Sequence, residues 1–284
     1  MATSSRSVNT LGGPLTRVGS RMAKLFRQAR QLTEIRACDL ASILEEDEID
    51  LSESHAEDPG YTASLIRFDS EKGGGIMLAK GQNEGRRRFS IAHELAHFHL
   101  PTHRSALVQG RCNEGDLRAR NHDTAQREWE ANDFAAELLM PQRLFSEDIR
   151  RLSISIDAVD RLSSPTMYNV SRLAAAWRLV QTTRERAALV VSTYGAVEWL
   201  VRSESFSGWL TERGQRLSSD ALASAAFRGE AVSSTPVEVP AHAWFDDAAH
   251  ATGTLLESTY AIEQFGNVVS LLWQPPDDGL DDED

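Results

Sequence analysis

His93 and His97 stand four residues apart, with Glu94 directly after the first, in the stretch Arg88-Phe89-Ser90-Ile91-Ala92-His93-Glu94-Leu95-Ala96-His97-Phe98-His99-Leu100-Pro101. On an α-helix, positions i and i+4 share a face one turn apart. The two imidazoles can therefore aim at one small volume. That geometry suits a tetrahedral zinc ion, Zn2+, which binds neutral imidazole nitrogen at about 2.0–2.1 Å. Glu94 can lean over the open position of such a metal without ligating it. A carboxylate so placed can take a proton from water that the metal has made acidic. The opposing reading is a helix with surface histidines. Ile91, Leu95 and Phe98 speak against it, because their spacing places an apolar stripe on a buried or half-buried helix.

Three protein ligands are needed to complete such a site, and a second helical stretch supplies candidates: Arg127-Glu128-Trp129-Glu130-Ala131-Asn132-Asp133-Phe134-Ala135-Ala136-Glu137-Leu138-Leu139-Met140-Pro141. Glu128 shares a face with Ala131, Ala135 and Leu139, while Glu130 lies about 200° round the helix from it, so both cannot face one metal. Glu128 is the better ligand by helix phase. For either glutamate the plainer role is an acid favoured in the first turn by the helix dipole. Of the remaining histidines, His99 and His103 do not share the His93/His97 face and read as surface or loop residues. His122 falls in the loop between the two helices and could reach the site as a transition-state donor. Arg86-Arg87-Arg88 reads as a solvated first turn.

The pairing of RRRFSIAHELAHFHL with REWEANDFAAELLMP resembles the ImmA/IrrE family of metallopeptidases, specifically over about residues 20–145 and more loosely beyond. The resemblance implies a zincin-like domain with His93, His97 and Glu128 on zinc and Glu94 as the catalytic base. It places Glu130 in a recurrent Glu-Ala-Asn segment. It also implies a site-specific endopeptidase whose substrate is a helix-turn-helix repressor of the XRE type. Cutting that repressor would release a stress, mobile-element or defence regulon. The layout it implies is α+β: a zincin-like metallopeptidase domain over 18–145, a helical helix-turn-helix-like middle over 146–184, and an α+β GAF-like sensor or regulatory domain over 185–274. Residues 1–17 and the acidic 275–284 are expected to be disordered.

The elements that must position the site follow from patterning. Helices are expected over about 18–32, with Met22, Leu25, Phe26 and Ala29 on one face, and over about 37–45. Glu45-Glu46-Asp47-Glu48 reads as a solvated acidic loop. Tyr61–Phe68 and Ile76–Ala79 read as two strands joined at Gly73-Gly74-Gly75, a hairpin whose edge can hold an extended peptide substrate. Beyond Pro141, short helices are expected near 144–151, over 156–162 with Ser155 as cap, and from Ser171 to about Val180. A β-rich end follows, with hairpins at Tyr194-Gly195 and Phe265-Gly266-Asn267, a helix over 217–227 and a short strand over 236–240. This end serves equally well as a packing or dimerising domain, which would give a homodimer.

Charge and composition narrow the class. The chain has 284 residues and a net charge of −12, half of it from the six acids after Gln274. Phosphate neutralisation needs clustered cations, so direct nucleic-acid binding is not expected. No apolar run approaches the roughly 18 residues of a membrane span, and the first residues lack the apolar core of a secretory signal. Cys38 and Cys112 have no motif spacing and suit a reducing compartment. The chain reads as cytoplasmic. Two other classes fit the same residues. One is a regulatory binding protein with a structural or vestigial metal site. The other is a DNA-binding regulator acting through 155–180, where Arg172 and Arg178 could meet phosphate.

Overall fold

The computed structural model describes residues 17–54, 61–68, 73–106, 111–113, 122–247, 249–262 and 266–275. Most of the expected disordered termini and much of the loop preceding the second site helix lie outside these residues. The described residues fall into two compact units. One lies within Gly12–Leu144 and Leu162–Ser171, the other within Phe145–Arg161 and Arg172–Asp284. Both mix helices with a sheet, as an α+β chain should.

In the first unit, α1 (Val18–Ala29) and α2 (Leu40–Glu46) precede three strands, β1 (Ile49–Ser54), β2 (Tyr61–Arg67) and β3 (Gly74–Ala79). Then come α3 (Glu84–His99), a 3-10 turn (Pro101–Ala106), β4 (Arg111–Asn113) and α4 (His122–Leu139). Asp39 caps α2 by accepting from the backbone N–H of Ala41 and Ser42. Asn83 caps α3 by accepting from Arg86 N–H at 2.9 Å. Pro101 follows the last turn of α3, where a residue without an N–H ends the ladder.

The expected hairpin forms, with β2 antiparallel to β3. It is not, however, a sheet edge. The strand order is β1-β3-β2-β4, so both hairpin strands are paired on either side. The strand that sequence patterning overlooked is β1, which runs parallel to β3 from Ile49 opposite Gly74. Its alternation is masked by three acids, Asp50, Glu53 and the preceding Glu48. The acidic loop before it is not uniformly solvated either: Asp47 is buried and accepts from Arg30 Nη2 at 2.6 Å and His99 Nε2 at 2.9 Å.

Alternate residues of β3, namely Gly74, Ile76 and Leu78, are buried, and Ile91, Leu95 and Phe98 of α3 are buried as their spacing requires. The α4 stripe of Ala131, Phe134, Ala135, Leu138 and Leu139 is entirely buried. Against α4 lies α1, through a face other than the one its apolar pattern indicates. Gly19, Ala23 and Arg27 are buried, while Leu25 is 52% exposed. The reason is closeness: a Cβ on Gly19 would sit 2.0 Å from the Glu130 carbonyl oxygen. Arg27 is buried because it closes chain ends, donating to the Leu138, Leu32 and Ile35 carbonyls. Arg88 is likewise buried rather than solvated, donating to the Cys38 carbonyl at 2.8 Å.

Residues 146–184 are divided between the two units through α5 (Gln142–Ile149), α6 (Ile156–Ser163) and α7 (Arg172–Thr182). Ser155 caps α6, its Oγ accepting from Ala158 N–H at 3.1 Å. The second unit is built on β5 (Arg186–Thr193), β6 (Ala196–Arg202), β7 (Val237–Pro240), β8 (Thr254–Ile262) and β9 (Asn267–Gln274). They form one antiparallel sheet in the order β6-β5-β9-β8-β7. The β5–β6 turn uses Tyr194 and Gly195, both at positive φ, as a two-residue hairpin demands. The expected helix over 217–227 is shorter, α8 (Leu222–Phe227). The buried Glu257 carboxylate closes its start, accepting from Leu222 N–H and Ala223 N–H at 2.9 Å each.

Candidate metal centre

His93 and His97 project from α3, and Glu128 projects from α4. Two helices are needed because one helical face supplies only two side chains at a common height. His93 Nε2 lies 3.1 Å from Glu128 Oε2 and 3.1 Å from His97 Nε2. His97 Nε2 lies 3.5 Å from Glu128 Oε1. All three residues are buried, and one atom from each lies within 4.8 Å of the others. Donors held tetrahedrally at zinc's usual ligand distances stand about 3.3 Å apart. The observed spacings bracket that value.

The Asn132 side-chain oxygen accepts from His93 Nδ1–H at 2.9 Å, which leaves a lone pair on Nε2. Asn132 is one turn beyond Glu128 on the same face of α4, so a single helix phase supplies one donor to the centre and one anchor for another. His97 Nδ1 lies 2.9 Å from His103 Nδ1. With the His97 proton in that bond, its Nε2 also turns a lone pair inward. In those tautomers two imidazole lone pairs face a carboxylate, with a cation taking the place of the proton that otherwise bonds His93 to Glu128. A cation is what such a set can hold.

Residues 54–180 match the sequence profile described as the IrrE N-terminal-like domain. Over those residues the chain carries an IrrE N-terminal-like domain. That domain is metallopeptidase-like, with a zincin-like fold. No curated protein matches the sequence. Among solved structures, one described as a Mycobacterium tuberculosis transcriptional regulator has a TM-score of 0.59 at 16% identity, over 92% of this chain and 77% of that one. At that identity the likeness is one of fold.

The electrostatics of the IrrE-like domain favour positive charge at its centre. Burial works against a charged His93, yet the Glu128 hydrogen bond and the charges of Glu94 and Glu128 outweigh it and raise the His93 pKa. Burial likewise pushes Glu128 up, but its bonds to His93 and His97 hold it far below the usual carboxylate range. Glu94 is 1% exposed, on the turn of α3 that carries His93. Its carboxylate acts on His93 through charge.

Two residues set aside by sequence patterning belong to this region. His103 is 0% exposed rather than at the surface. The chain does not leave after Pro101 but winds into a 3-10 turn, with His103 N–H bonded to the Leu100 carbonyl at 3.0 Å. Burial and the neighbouring His97 lower the His103 pKa to about 4, against the opposing pull of Glu130. Glu130 does not face the three donors, as helix phase requires; it bonds His103 instead, Oε2 to Nε2 at 3.2 Å. No periodicity links residue 103 to the motif, so only the fold could reveal this contact. His99 is half-buried against Asp47 and the Phe26 ring. His122 opens α4, with its side chain outside the described atoms.

Proposed function

We propose that the chain is a zinc-dependent, site-specific endopeptidase acting on a helix-turn-helix transcriptional repressor of the XRE type, and so derepressing a stress, mobile-element or defence regulon. The observation that carries the peptidase reading is the convergence of His93 Nε2, His97 Nε2 and the Glu128 carboxylate. His93, His97 and Glu128 would hold the metal. Bound there, zinc supplies a Lewis acid that lowers the pKa of water and polarises the scissile carbonyl. Glu94 takes the proton of the attacking water and delivers it to the leaving amine. The regulatory half of the reading is supported by the family resemblance and by the fold shared with a protein described as a transcriptional regulator. Among the described residues no helix is long and apolar enough to cross a membrane, which is compatible with work in the cytoplasm.

The test compares new protein N-termini in cells expressing the intact chain or its Glu94→Gln variant. A few new termini within a DNA-binding regulator, produced only by the intact chain, are expected. Identical profiles at rest and under stress, from a chain that binds zinc normally, would replace this reading with a regulatory binding protein.

A further inference from the structure

We propose that His103 and Glu130 are positioning residues that fix the tautomer and orientation of His97 at the metal centre. The proposal rests on the zinc reading of His93, His97 and Glu128.

The relay begins at Gln126. Its side-chain amide donates to Glu130 Oε1 at 2.9 Å, one turn along α4. The other carboxylate oxygen, Oε2, is 3.2 Å from His103 Nε2 and 3.5 Å from Thr102 Oγ1. A carboxylate only accepts, so the contact between Glu130 and His103 places a ring proton on His103 Nε2. The 2.9 Å gap between His103 Nδ1 and His97 Nδ1 holds one proton, and with His97 Nε2 turned to the metal that proton is carried by His97 and accepted by His103. The order of protons from α4 back to α3 follows from the carboxylate at one end and the metal at the other.

Burial makes the arrangement costly to keep for packing alone. The His103 and Glu130 side chains are 0% and 4% exposed, and an apolar pair of similar volume commonly matches or exceeds the stability of a buried polar one. What an apolar pair cannot do is choose between the two tautomers of His97 or stop its ring from turning. His93 has only a neutral amide behind it, at Asn132. His97 has a chain ending in a carboxylate, which makes it the more strongly donating of the two rings.

The test measures zinc affinity by competition with a chromophoric chelator, together with thermal unfolding of the chelator-stripped proteins. His103→Leu keeps bulk but removes the acceptor; His103→Asn keeps an acceptor for His97 Nδ1–H; Glu130→Gln keeps an acceptor for His103 without the charge. Expected are a loss of about 10–100-fold for His103→Leu, a smaller loss for His103→Asn, and a loss for Glu130→Gln between wild type and His103→Leu. Folded His103→Leu binding zinc as tightly as wild type would overturn the relay and leave the metal centre standing. If His103→Leu does not fold, wild-type affinity in both other variants would overturn it equally. Wild-type protein that takes up no divalent ion would overturn both the metal centre and the relay.

Discussion

At the residue scale, the imidazoles of the centre are oriented by what stands behind them, Asn132 for His93 and His103 for His97. Replacing Glu128 with Ala removes one of the three donors, so its cost should exceed that of the outer partners, by more than about 100-fold in zinc affinity. Retention of one zinc per chain by Glu128→Ala after chelator dialysis would remove it from the ligand set. A second prediction concerns Asp47. Burial raises its pKa, but the bond and charge of His99, then those of Arg30, outweigh burial and hold it below the usual range. A depressed folded-state pKa contributes stability that is present above the unfolded value, near 3.8, and is lost as pH falls through the folded one. Asp47→Asn should therefore lower stability at pH 7 by about 1–3 kcal/mol. The difference from wild type should shrink towards zero in acid, as measured by urea unfolding at both ends of the range. His93, His97 and Glu128 were legible because one helical turn and one helix phase bring them together. His103 was not, because its position depends on how the chain turns after Pro101.

At the element scale, what decides the site is how closely α1, α3 and α4 approach. Apolar patterning found these helices but misjudged the face of α1, since the buried positions are Gly19, Ala23 and an arginine. Small residues are chosen where backbones nearly touch, and hydrophobicity scales do not register that. The consequence is testable. A methyl at Gly19 would meet the Glu130 carbonyl at 2.0 Å and Phe134 N at 2.8 Å, both backbone atoms that no rotamer change can move aside. Gly19→Ala should cost about 1–3 kcal/mol by overpacking and should also weaken zinc binding, because the turn of α4 that must yield carries Glu128 and Asn132. A Gly19→Ala protein with unchanged melting temperature would show that α1 does not hold α4 in place. The same limit of patterning hid β1: its acids break the alternation, and its pairing partner, β3, is reached only after β2. Finding β1 also removed the hairpin from the sheet edge, leaving β1 and β4 as the outer strands.

At the scale of the whole molecule, the remaining question is whether the chain meets DNA itself or acts on a protein that does. The net charge of −12 opposes phosphate binding everywhere except at a local cationic surface. Of the arginines around α6 and α7, the two on α7 that sequence patterning pointed to are already engaged. Arg172 pairs with Asp160 and lies 4.0 Å over the Tyr260 ring, while Arg178 is buried. Sequence alone placed both on the right helix but could not show that an acid on α6 and a ring on β8 had claimed the first and that packing had claimed the second. We expect fluorescently labelled duplex DNA to show no anisotropy change with the full chain at micromolar concentration and about 50 mM salt, a condition under which non-specific binders with several phosphate contacts associate readily. Association there that falls steeply by about 200 mM salt would mean that a cationic surface exists in spite of the overall charge. Arg172→Ala would then locate it: weaker binding with a shallower salt slope would place phosphate at α7, and an unchanged slope would place it elsewhere.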